Sequence, residues 1–145
     1  MPIGITNDAL ILGLVAITNR TIQVRLHYDD PGTNGTDNEI ARENGYARLM
    51  IARAGFSRES TSDIRYSNTQ QISFGPATGD WGDGTDNQTV SWLTLWYDRN
   101  DPTNTDDATF DTLLSTHEFH TSQQVTTGNP FVIQAHGIDL VSEPQ

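Results

Sequence analysis

Apolar and polar positions alternate with a short period through most of this chain. Over residues 21–28, Ile22, Val24, Leu26 and Tyr28 fall on one face and Gln23, Arg25 and His27 on the other, which is the two-residue period of a strand. Residues 45–53 read as a second strand, with Gly55 and Phe56 after it, and residues 70–74 as a short one that stops at Gly75-Pro76. The polar stretch 57–67 between them predicts an excursion or a hairpin. Residues 89–97 are apolar on both faces, as expected of a central strand between two layers. Residues 110–114 read as a helical turn. Further strands are expected over 118–125 and 131–135, around a turn at 127–130, and over 138–141.

One segment breaks this pattern. Residues 9–17 form a continuous apolar run, and Thr6, Asn7 and Asp8 can cap a short helix over residues 9–16, although Gly13 and Val15 weaken it. The run is too short to span a bilayer and no cation precedes it, so it reads as a buried helix or docking arm rather than an anchor or signal peptide. Its side chains Leu10, Ile11, Leu12, Leu14 and Val15 must be covered and are the candidate protein-interface residues. Seven or eight short strands with frequent turn signals predict an all-β fold, a β-sandwich or jelly-roll-like barrel with a short N-terminal helix. Residues 1–20 form the helix or arm and residues 21–145 a single domain. A length of 145 residues fits one domain able to bury about two-thirds of its unfolded surface.

Charge narrows the partners. Nineteen acidic residues stand against eight basic ones, all of them Arg, for a net charge of −11. Such a surface repels phosphate backbones and anionic headgroups, so neither nucleic acid nor membrane is an expected partner. It favours solubility at high local concentration, as for a protein displayed in many copies. Without cysteine the chain has neither disulfide nor thiolate chemistry.

Candidate chemistry is sparse. In the loop from Asp30, the donors Asp30, Asn34 and Asp37 echo a calcium loop, but Gly32 and Ala41 stand where ligands are needed. In the second acidic loop Asp80, Asp83 and Asp86 are spaced by three. Both loops read more simply as Asx turns, with weak calcium binding as the alternative. His117 and His120 sit three apart, and on a strand they point to opposite faces, away from a shared zinc. Trp81, Trp92 and Trp96 offer a carbohydrate platform, yet the shared parity of Trp92 and Trp96 favours core. The sequence contains no Gly-x-Ser-x-Gly elbow, P-loop or dinucleotide fingerprint, and no catalytic or cofactor-binding residue is assigned.

Four segments in order carry a resemblance: Val24-Arg-Leu-His-Tyr-Asp-Asp-Pro-Gly32 with Gly35 and Asn38, Gly45-Tyr-Ala-Arg48, Ile72-Ser-Phe-Gly-Pro-Ala-Thr-Gly-Asp-Trp-Gly82, and Gln124-Val-Thr-Thr-Gly128 followed by the stretch from Phe131 to Leu140. Together they resemble small tailed-bacteriophage virion proteins of the tail-fibre-like or structural kind. After Trp92 the chain departs from that group, with a longer loop from Arg99 to Asp107. The resemblance implies a non-enzymatic, all-β virion component on the particle exterior, assembled in the host cytoplasm. Its expected contacts are the major capsid protein or other virion proteins and further copies of itself. Acidity, and the lack of heptads or a collagen-like tract for a stalk, favour a capsid cement or decoration protein; the alternatives are a tail-fibre, neck or baseplate appendage and, from another class, a carbohydrate-binding module.

Overall fold

A computed structural model of the chain describes residues 2–3, 20–52, 55–58, 65–82, 89–104 and 109–141. The fold is all-β. Its strands are β1 (Pro2–Ile3), β2 (Ile22–His27), β3 (Leu49–Ile51), β4 (Phe56–Arg58), β5 (Arg65–Asn68), β6 (Ile72–Phe74), β7 (Thr89–Tyr97), β8 (Thr112–Gln124), β9 (Phe131–Ile133) and β10 (Asp139–Val141). They form a sheet of order β1-β10-β5-β4, a second of order β3-β2-β7-β8, and the pair β6-β9. All pairings are antiparallel except β1 with β10. No α-helix occurs among the described residues.

The strongest periodic segments fold as their patterns dictate. Residues Ile22, Val24 and Leu26 of β2 pair beside Leu93 and Leu95 of β7, and all five are buried in one apolar core. That core also takes Phe56 and Tyr66 from the first sheet and Ile72, Phe74, Phe131 and Ile133 from the β6-β9 pair, so all three sheets close over it. β7 is a central strand with both faces covered from Leu93 to Tyr97, as its two-sided apolarity predicts. The polar stretch after Phe56 contains the paired strands β4 and β5.

Two expectations change. The helical turn over 110–114 is absent: Thr112 and Leu113 pair with Tyr97 and Trp96 as the start of β8. Alternating burial of Thr112, Leu113 and Leu114 against the long central strand outweighs the local helix signal. At the N-terminus, Pro2–Ile3 is a strand, joined in parallel to β10. The helix expected over 9–16, with the interface candidates Leu10, Ile11, Leu12, Leu14 and Val15, lies outside the described residues. β8 is also bulged: Val90 opposes Gln123 and Trp92 opposes Glu118, so four residues of β8 stand across from Ser91 alone.

Candidate interaction surface

The unexpected part of the molecule is the reverse face of β2 and β7. Gln23, Arg25 and His27 alternate with the apolar residues and are as thoroughly buried as they are, at 0, 7 and 0 % exposure. Burial of polar groups requires partners. The Arg25 guanidinium lies over the Trp96 ring, 4.0 Å from its centroid. Its Nε donates to Gln23 Oε1 (2.7 Å) and a terminal nitrogen donates to the Phe110 carbonyl (2.8 Å). His27 Nδ1 lies 2.7 Å from the Asp37 carbonyl, which can only accept, so Nδ1 carries the proton. Neutral Nε2 then accepts from the Thr94 hydroxyl at 2.8 Å, and Thr94 Oγ1 in turn accepts from Trp96 Nε1 at 2.7 Å. Burial, opposed by the Asp37 carbonyl, pushes the His27 pKa down, which suits this one-way chain of donors.

Above this layer the loop after β2 folds back over the sheet. Asp30 Oδ1 accepts from Gly32 N at 2.9 Å, an Asx turn, and Asp37 N donates to the Pro31 carbonyl. Gly35, at φ +74°, lies so close that a Cβ there would stand 2.8 Å from Leu113 and 3.1 Å from Trp96. Between this loop and the start of β8 runs a groove of about 590 Å³. Thr33, Asn34, Thr36 and Asn100 give it neutral hydrogen-bonding walls, Arg99 and Asp111 one charge of each sign, and Leu113 an apolar patch. Its composition suits adaptable polar contact.

A second network fixes the start of the other strands. Glu39 accepts both nitrogens of a bidentate Arg48 pair (2.9 and 2.8 Å) and the Tyr46 hydroxyl (2.9 Å). These bonds hold the Glu39 carboxyl below its usual range against the effect of burial. Tyr46 Oη accepts from Leu26 N, which ties the pair to the core strand. Its neighbour Asn44, at φ +55°, presents its carbonyl to both Thr78 N (2.9 Å) and Trp81 Nε1 (2.7 Å).

The candidate residues read from sequence are dispersed. Asp30 and Asp80 are exposed, Asn34 lines the groove, and Asp37 meets His27 through its backbone carbonyl. Asp83 and Asp86 lie outside the described residues. His117 and His120 are on β8 three residues apart; His117 is buried edge-on against Phe119, and His120 is exposed. Trp81 is 1 % exposed and packed on Tyr46, so it offers no ring to a sugar, and Trp96 is covered by Arg25. Sequence reasoning missed the Arg25–Trp96 and His27–Thr94 contacts. The available signal was a strand with polar residues on one face, paired to a strand apolar on both. It also missed Ser67 Oγ and His136 Nδ1, 2.7 Å apart. Ser67 is fully buried, so its hydroxyl has no path to a substrate carbonyl.

Residues 8–141 match the protein family described as "Podophage GP4 fiber I protein gp80". The chain belongs to this family. It is a tailed-phage virion structural protein. No curated protein matches the chain.

In this fibre-family protein the four segments that carry the virion resemblance have identifiable structural work. The Asp-Pro-Gly loop roofs the buried polar layer, and Gly45-Tyr-Ala-Arg48 supplies the Tyr46–Glu39–Arg48 network. Gly45, at φ +86°, leaves room for the Pro76 carbonyl, 2.7 Å from where a Cβ would sit. The segment from Ile72 to Gly82, whose Gly75–Pro76 peptide is cis, locks to the last segment through Ala77 N to the Asn129 carbonyl and Gly128 N to the Ala77 carbonyl.

Proposed function

We propose that the chain is a non-enzymatic tail-fibre component on the particle exterior, rather than a capsid cement protein. The observation that carries this reading is the match of residues 8–141 to a family described as a podophage fibre protein. It outweighs the absence of heptads, which had favoured decoration of the head.

The fold is consistent with a passive building block. Two sheets and a strand pair over one core support a sandwich-type architecture for residues 21–145, with β1 of the N-terminal segment added to the edge of one sheet. The buried polar groups of β2, His27 and Arg25 foremost, are committed to internal hydrogen bonds. A net charge of −11 keeps such a component soluble before assembly in the host cytoplasm and argues against contact with nucleic acid or membrane. Leu10, Ile11, Leu12, Leu14 and Val15 supply an apolar arm for docking on another virion protein. The reading requires neither metal nor cofactor, and Asp30, Asp98 and Asp101 form Asx turns with their own backbone two residues on.

Particles lacking the protein provide the test, through host attachment and head thermal stability measured side by side. A fibre component predicts impaired attachment with unchanged head melting. Destabilised heads with normal attachment would restore the cement reading.

A further inference from the structure

The chain contains two Asn-Gly steps, Asn34-Gly35 and Asn44-Gly45. Glycine leaves its backbone nitrogen unshielded by a side chain, so that nitrogen can attack the carboxamide of the preceding asparagine and close a five-membered imide. Both asparagines are exposed, so neither sequence nor access to water tells the two steps apart. The fold does.

Ring closure requires rotation about the bond between the asparagine Cα and its carbonyl carbon, which swings the carbonyl oxygen away. At Asn44 that oxygen is held twice, by Thr78 N at 2.9 Å and by the indole Nε1 of Trp81 at 2.7 Å, and this Trp81 is 1 % exposed. The carboxamide is held as well: Nδ2 donates to the Asp80 carbonyl at 3.1 Å, and a Cβ on Gly79 would stand 2.7 Å from Asn44 Cγ. The turn around it is closed by Tyr46 N donating to the Glu43 carbonyl at 3.0 Å. At Asn34, by contrast, neither the carboxamide nor the backbone carbonyl has a hydrogen-bond partner among the described residues. The one bond to give up is Gly35 N to the Gly32 carbonyl, at 3.1 Å. The following glycines differ in the same sense. Gly35 is bordered by the side chains of Leu113 and Trp96, whereas Gly45 is bordered by the backbone of Pro76, Ala77 and Thr78.

We infer that Asn34 is a site of spontaneous deamidation and that the fold protects Asn44 from the same reaction. The Gly35 nitrogen bonds to Asn34 Cγ as the Cγ–Nδ2 bond breaks, and the proton it loses leaves with Nδ2 as ammonia. Water then opens the imide at either carbonyl, leaving aspartate or isoaspartate at position 34. The place of the change gives it consequence. Asn34 lines the groove whose other charged walls are Arg99 and Asp111, so a new carboxylate turns a balanced groove acidic on a chain already at −11. Isoaspartate also lengthens the backbone of the loop that roofs His27. This inference does not depend on the fibre reading.

Trypsin cuts after Arg25, Arg42 and Arg48, so the two asparagines fall in separate peptides. The full chain is held at mildly alkaline pH, sampled over days and digested, and each peptide is weighed for a gain of about one dalton. Fragment spectra place the change at Asn34 rather than Asn38. In the folded chain Asn34 should convert at least about tenfold faster than Asn44, because only Asn44 must break several hydrogen bonds. In urea, where those bonds are gone, the two rates should converge. Asn34→Gln, which would have to close a larger ring, should remove the fast conversion, with circular dichroism melting to establish that it is folded. If that variant does not fold, the wild-type comparison in and out of urea carries the test. Asn44 converting as fast as Asn34 in the folded chain, an inert Asn34 while the unfolded chain converts, or a difference that survives in urea would overturn the inference.

Discussion

The two faces of the β2–β7 pair are equally buried and chemically opposite. On one, Ile22, Val24, Leu26, Leu93 and Leu95 meet the common core; on the other, Gln23, Arg25, His27, Thr94 and Trp96 are packed just as tightly. The apolar face stabilises by leaving water, without regard to direction. The polar face gains little net free energy per bond, but each group accepts only one arrangement of partners, and a missing partner is costly. The apolar face therefore drives folding, while the polar face fixes the register of strands and the position of the loop that roofs them.

Breaking the apolar face should do the most damage. Leu95→Ala, at a fully buried site, should lower the unfolding free energy by about 3 kcal/mol in a denaturant titration. Arg25→Ala comes next, at about 2–3 kcal/mol, because it removes a donor from Gln23 Oε1 and from the Phe110 carbonyl and uncovers Trp96. The double variant Gln23→Leu, Arg25→Met removes donor and acceptor together and should cost less than Arg25→Ala alone; a larger loss would contradict the division of labour between the faces. Thr94→Val should cost about 1–2 kcal/mol, since both His27 Nε2 and Trp96 Nε1 lose the hydroxyl between them.

The smallest effect is a pH dependence. Burial holds His27 and His117 below the ordinary imidazole value of 6.5, so near that pH the unfolded chain binds more protons than the folded one. Their contribution is complete above pH 6.5 and is lost as pH falls through the lowered folded values. Glu39, held below 4.5 by Arg48 and Tyr46, adds a second loss only in more acid solution. Melting temperature against pH should thus fall in two stages, and His27→Gln should flatten the upper one. A flat profile from pH 7 to pH 5 would show that the histidines are not held neutral by the fold.

What was legible in the sequence tracks where local pattern and tertiary structure agree. β2 and β7 were readable because period and burial coincide over six and nine residues. The start of β8 was not, because Phe110 to Leu114 has helix-like spacing and its strand state comes from pairing with Trp96 and Tyr97, which lie far back in the chain. The burial of the polar face is not legible in the sequence. Alternation shows which side chains share a face but not whether a loop covers it, and here Gly35 and Asp37 do so. At Asp30 the turn is legible in the sequence, since the side chain bonds its own backbone two residues on.

The central claim, that this virion protein serves in the fibre, is tested most directly by its position on the intact particle. Gold-labelled antibody against the chain, viewed on whole virions, should mark the tail appendages and leave the head surface bare. Label distributed over the capsid lattice would contradict the account.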